Sequence, residues 1–125
     1  MPNEGVPENM TAHAVYDDGV LRISPMGSPP GLAIAGEIDE DTYPALVQSL
    51  GQLAGRAEIH LNLAGLTYCD LAGLRAIVGL ARAGRGSSGT RLVLHEVPPR
   101  LRSVLGIVGW DSTAGLVIEQ GQRPG

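Results

Sequence analysis

The chain has 125 residues, 43% of them apolar, and nine basic against thirteen acidic side chains give a formal net charge of −4. That length makes one domain, able to bury roughly two thirds of its unfolded surface. The acidic balance argues against nucleic acid or an anionic membrane as the main partner, because both require a basic footprint.

Three Tyr, one Trp and no Phe leave the core to Leu, Val, Ile and Ala, packed by shape. One cysteine, Cys69, excludes an intramolecular disulfide and fits a reducing cytoplasm. No apolar run approaches the ~20 residues that span a bilayer, so no membrane insertion is expected. The first ten residues have neither the basic nor the apolar region of a secretory signal. Residues 1–11 are polar and read as a disordered tail.

His13 to Asp17 and Val20 to Ser24 flank Asp17-Asp18-Gly19, and Asp-Gly between two such runs marks a hairpin. Pro25 to Pro30 holds three prolines and reads as a loop. Gly31 to Ala35, small and apolar on both faces, is expected to be an interior strand. A helix follows from near Asp41 or Thr42, with Pro44 in its first turn. Leu46, Val47, Leu50, Leu53 and Ala54 form its expected stripe, and Gly55 its C-terminal cap. Ala57 to Ala64 alternates as a fourth strand.

Asp70 then stands at the N-cap of a helix over Leu71 to Ala83, with Leu71, Leu74, Ile77, Val78 and Ala81 at helical spacing. Residues 84–89 read as a turn, and Arg91 to His95 as a fifth strand. Pro98 and Pro99 open a third helix in which Leu101, Val104, Leu105 and Val108 share a face, and Gly109-Trp110-Asp111 ends it. Gly115 to Glu119 is a last short strand. An opening hairpin followed by alternating strands and helices implies an α/β domain with a mixed β-sheet.

The stretch Leu61 to Leu74 resembles the signature of the STAS domain, found in sulfate transporters and anti-sigma factor antagonists. That signature reads roughly Leu-Asp-Leu-Ser-Gly-Val, three residues, then Asp-Ser-Ser-Gly-Leu. The chain keeps Leu61, Leu63, Gly65, Asp70, Gly73 and Leu74. It has Asn62 for the strand aspartate, Leu71 for the first serine and Ala72 for the second. Glu37-Ile38-Asp39, followed by Thr42, is similar to the family's Gly-Glu-Leu-Asp and Thr before the first helix. The resemblance implies a STAS domain over residues 12–120 with a tail at 121–125.

It further implies a non-enzymatic module that binds a kinase-like anti-sigma factor through Asp39, Thr42, Thr67, Tyr68, Asp70, Leu71, Ala72, Gly73 and Arg75. The second serine is the family's phosphorylation site, and Ala72 offers no hydroxyl there. A scaffold or sensory module in a transport or signalling assembly is the alternative. Oligomeric state is left open by the sequence.

Other groupings point less far. Residues 84–89 match Gly-x-Gly-x-x-Gly, but the run follows a helix and opens a strand, the reverse of a dinucleotide-binding turn. Glu37, Asp39, Glu40 and Asp41 could be a cation site or paired acids. Carboxylates favoured by a helix N-terminus, at about 0.3–1 kcal/mol each, explain them more simply. Cys69 beside a helix start could be an activated thiol, against the simpler reading of a small buried hydrophobe. Arg75 and Arg82 share a helix side, either as a solvated face or as a basic strip. Histidines 13, 60 and 95 fall in separate strands with neither metal spacing nor a Ser or Cys partner. The sequence thus implies no catalytic constellation, metal or cofactor.

Overall fold

Asp18 makes the first reversal. Its Oδ1 accepts the backbone N–H groups of Val20 and Leu21, each at 2.8 Å, and Gly19 adopts φ +90. The strands β1 (Tyr16–Asp17) and β2 (Leu21–Pro25) pair antiparallel, Asp17 opposite Arg22, and residues 18–20 connect them. This computed structural model describes residues 15–27, 29–83 and 90–119. His13, the turn at 84–89 and both expected tails lie outside the described residues.

Next comes β3 (Leu32–Ile38), antiparallel to β2 with Leu21 opposite Gly36. After it run α1 (Tyr43–Gly51), β4 (Glu58–Asn62), β5 (Leu66–Cys69), α2 (Leu71–Ala83), β6 (Arg91–His95), α3 (Pro99–Val108), a 3-10 turn (Trp110–Ser112) and β7 (Leu116–Glu119). The sheet has seven strands in the order β1-β2-β3-β4-β6-β7, with β5 also paired to β3. Among the described residues, every pairing beyond β2–β3 is parallel. The architecture is the mixed α/β domain that the alternation of elements implied.

Three expectations need correction. The third strand does not stop at Ala35 but continues to Ile38. The fourth, expected to run to Ala64, stops at Asn62, and another strand, β5, lies between it and α2. The cause is a kink that the longer β3 accommodates. Asn62 Oδ1 accepts the Ala64 N–H at 2.8 Å and turns the chain. The Gly36 N–H then donates to the Gly65 carbonyl at 2.9 Å. A Cβ at Gly65 would lie 2.8 Å from that of Ala35, and one at Gly36, φ +98, would strike the Val20 carbonyl. The two glycines let β3 bulge and take a second partner.

The third correction concerns α1. Val47 is 41% exposed, whereas Leu46, Ser49 and Leu50 are buried, with Leu53 buried in the turn beyond. Leu46, Leu50 and Leu53 recur every three to four residues, and that is the stripe facing the sheet. Gly55, at φ +89, closes this turn after the helix has ended at Gly51.

Among the described residues, one face of the sheet and three helices enclose a single core. Leu21, Ile23, Leu32, Ile34, Ile59, Leu61, Leu92 and Leu94 supply the strand side by alternation. Leu46 and Leu50 of α1, Leu74, Ile77, Val78 and Ala81 of α2, and Leu101 and Leu105 of α3 cover it. Leu71, expected in the stripe of α2, is 51% exposed, and Val108 of α3 is 37% exposed. Each caps the end of its helix, where the stripe has passed the sheet edge. The other sheet face carries Arg22, Ser24, Glu58, His60, Arg91 and His95.

Candidate functional site

Parallel pairing of β3 with β5 brings Ile38 opposite Cys69, so both strands end at one sheet edge and each feeds a helix. Crevices beyond the carboxyl ends of parallel strands are where such sheets commonly bind. The Asp70 N–H donates to the Ile38 carbonyl at 3.0 Å and locks the two exits together.

At the first exit the loop is closed upon itself. Asp39 Oδ1 accepts the Asp41 N–H at 2.9 Å and the Thr42 N–H at 3.1 Å. Thr42 Oγ1 accepts the Asp39 N–H at 2.9 Å and donates to the Glu37 carbonyl at 3.0 Å. Thr42 is only 3% exposed, so its hydroxyl shapes the loop from within. The acidic side chains Glu37, Glu40 and Asp41 point to solvent. Among the described residues, no three His, Cys, Asp or Glu side chains converge in a way that could hold a metal ion.

The second exit is open. Asp70 Oδ1 accepts the Gly73 N–H at 2.8 Å, the N-cap bond its position implied. Gly73 is buried, and a Cβ there would run into Ile38 Cγ2 and lie 3.1 Å from Cys69 Sγ. Glycine therefore lets the first turn of α2 sit directly on the end of β3. Outward from that seat, Tyr68 is 52% exposed and Leu71 51%, and Thr67, Ala72 and Arg75 are also exposed. Thr67 Oγ1 donates to the Gly36 carbonyl at 2.9 Å, so that hydroxyl is engaged with the kink in β3.

Cys69 lies half-buried beneath this turn. Burial, helped by the neighbouring Asp70 carboxylate, pushes its thiol up to about 12. A thiol held protonated is a poor nucleophile, which favours its reading as a small packing residue. Arg82, near the far end of α2, is exposed at the opposite end of the helix from Arg75.

Of the nine residues the resemblance implied, Thr67, Tyr68, Leu71, Ala72 and Arg75 are exposed at the second exit. Asp39, Thr42, Asp70 and Gly73 shape the backbone below. Sequence reasoning overlooked one constellation away from this edge. His60 and His95, apparently unrelated, meet on the far sheet face because β4 and β6 are neighbours.

The family model described as Mlab, STAS domain, matches residues 21–118. No curated protein matches the sequence. Among solved structures, an anti-sigma factor antagonist from Mycobacterium paratuberculosis superposes with a TM-score of 0.62 at 20% identity, covering 78% of this chain and 84% of that one. Unphosphorylated SpoIIAA, also an anti-sigma factor antagonist, gives 0.55 at 18%, with coverages of 82% and 90%. Phosphorylated SpoIIAA, a Bacillus cell fate determinant, gives 0.50 at 19%, with coverages of 82% and 93%. At these identities the likeness is one of fold. A family match over most of the chain and a shared architecture agree with the kinked strand, capped helix and buried glycine seen here: the chain belongs to the STAS domain family.

Proposed function

We propose that this chain is a non-enzymatic, cytoplasmic protein-binding regulator of the anti-sigma factor antagonist type, acting in bacterial transcription control by partner switching. Its partner is a kinase-like anti-sigma factor, whose capture releases a sigma factor. The observation that carries the reading is the exposure of Tyr68 near the end of β5 and of Leu71, Ala72 and Arg75 on the capped start of α2. Exposed aromatic and Arg side chains are the types that anchor protein interfaces, and the locked loop below means little ordering cost on binding. The similar folds of antagonists, one of them described in a phosphorylated form, support it.

Ala72 takes the place of the family's acceptor serine in this reading. A phosphate of roughly −2 charge at that spot would repel or block a partner, and alanine removes that option. Thr67 and Tyr68 are the nearest other hydroxyls. The antagonist is then either permanently competent or controlled through its supply, a ligand or another hydroxyl.

The test mixes the full chain with candidate kinase-like anti-sigma factors and ATP, following complex formation and phosphate transfer together. Binding without transfer, with transfer gained by Ala72→Ser, supports the reading. Transfer to the unaltered chain relocates the switch to another hydroxyl. Absence of binding at micromolar concentration abandons the antagonist role. A second reading then takes its place, a scaffold or sensory module in a signalling or transport assembly. Ala72 favours that alternative, since such a role needs no acceptor.

A further inference from the structure

On the open sheet face, five side chains from three neighbouring strands form an unbroken polar row. Arg91 Nη1 lies 3.6 Å from Glu58 Oε1, and Glu58 Oε2 is 2.6 Å from His60 Nε2. His60 Nδ1 is 2.8 Å from His95 Nε2, and His95 Nδ1 is 3.2 Å from Glu119 Oε1. The register pairs Glu58 with Arg91 and His95 with Glu119, and His60, opposite Val93, reaches His95 on the diagonal. Both imidazoles are largely shielded, with side chains 14% and 18% exposed, whereas the flanking carboxylates are about half exposed.

Counting protons fixes the charge of the pair. Each carboxylate is an acceptor only, so His60 Nε2 and His95 Nδ1 must both carry hydrogen. Two neutral imidazoles have no further hydrogen, and their remaining nitrogens would then present lone pairs to each other at 2.8 Å. Filling all three contacts takes three ring hydrogens on two rings, which is one positive charge. The ring centroids lie 5.1 Å apart and the planes are 21° from parallel. That spacing, with nitrogens so close, places the rings edge to edge, where an N–H can point at its acceptor. Charge agrees: two carboxylates and Arg91 sum to −1, and the shared proton brings the row to zero.

We propose that His60 and His95 share one proton and form a pH-sensitive clasp tying β4 to β6 and, through Glu119, to the edge strand β7. The facing groups support it. Glu58 is held below the usual carboxylate range, chiefly by its hydrogen bond with His60. On the β3 side the nearest open-face residues, Gly31 and Ala33, are not titratable. Arg22, on β2 beyond them, is turned to Asp17 at 3.9 Å. The clasp also borders the kink between β4 and β5, because the His95 carbonyl accepts the Leu63 N–H at 3.0 Å.

The sign follows from linkage. The third contact exists only while the pair carries that extra hydrogen, so the clasp is closed in mild acid and opens when rising pH removes it. Urea unfolding of the full chain between about pH 6 and pH 8 should show the folding equilibrium constant falling about tenfold, the worth of one hydrogen bond to a charged group. The double variant His60→Gln/His95→Gln should lose most of that slope. Imidazole nitrogen NMR on the unaltered chain at pH 6 provides a measurement that needs no variant. It should show three protonated ring nitrogens for the pair. Two neutral rings at pH 6, or an unaltered slope in the double variant, would overturn the clasp.

Discussion

The two helix starts at the shared strand edge are built from the same parts and end in opposite states. Both follow a parallel strand, both have an aspartate accepting backbone N–H groups, and the Asp70–Ile38 hydrogen bond joins them. Yet the start of α1 turns its hydroxyl inward, with Thr42 buried, whereas the start of α2 turns Leu71, Ala72 and Arg75 outward. Polar groups satisfied within a loop make a frame, and exposed side chains on a satisfied turn make a surface. A partner can gain most from the second, because the first has already met its own hydrogen-bonding needs.

Putting a methyl where the two starts touch should disturb this arrangement most. In Gly73→Ala the new Cβ collides with Ile38 Cγ2, an inflexible atom of a fully buried side chain. Helix propensity returns up to ~1 kcal/mol, and overpacking of about 1–3 kcal/mol exceeds it. Urea unfolding should show a net loss and weakened partner binding. Gly79→Ala, on the same helix with nothing within 4 Å of its Cβ, is the control. It should gain about 0.5–1 kcal/mol. Equal responses at the two glycines would mean that the seat of α2 on β3 is not tight.

Breaking the closed start comes next. Thr42→Val keeps the shape, removes the acceptor of the Asp39 N–H and leaves the Glu37 carbonyl without its hydroxyl donor. About 1–2 kcal/mol of stability should go, with partner affinity affected only in proportion to folding. At the open start, Asp70→Ala removes one cap at ~1 kcal/mol, but there affinity should fall further, about tenfold. Calorimetric titration of both variants against one partner separates frame from surface. If Thr42→Val harms binding more than Asp70→Ala, the roles are reversed.

Sequence legibility follows the same division. Local chemistry was readable: the N-cap at Asp70, the bounds of α2 and β6, and the left-handed C-cap Gly109 at φ +79 all follow from neighbouring residues. What depended on a distant strand was not. Period-2 alternation showed that the strand before Gly65 breaks, but only the length of β3 makes the continuation a second strand. Tyr68 is solvent-facing and Thr42 buried for tertiary reasons, although both are polar residues near helix starts. His60 and His95, thirty-five positions apart, meet only because β4 and β6 adjoin. Knowing the parallel strand order in advance would have found them.

The smallest effect probes what lies beneath the open start. Cys69 is capped by the first turn of α2, and burial holds its thiol near 12, above the ordinary thiol range. The folded state therefore favours the protonated thiol. Its contribution is intact below the unfolded thiol's titration and fades as pH rises toward 12. Alkylation at about pH 8.5, where a free thiol is half ionised, should be slow in the native chain and fast in urea. Asp70→Ala removes both the cap and the adjacent negative charge. Both losses act in the same direction, so the native thiol should react faster than in the unaltered chain. If its rate is unchanged, the seat on Ile38 and Gly73, rather than the cap, keeps the turn closed.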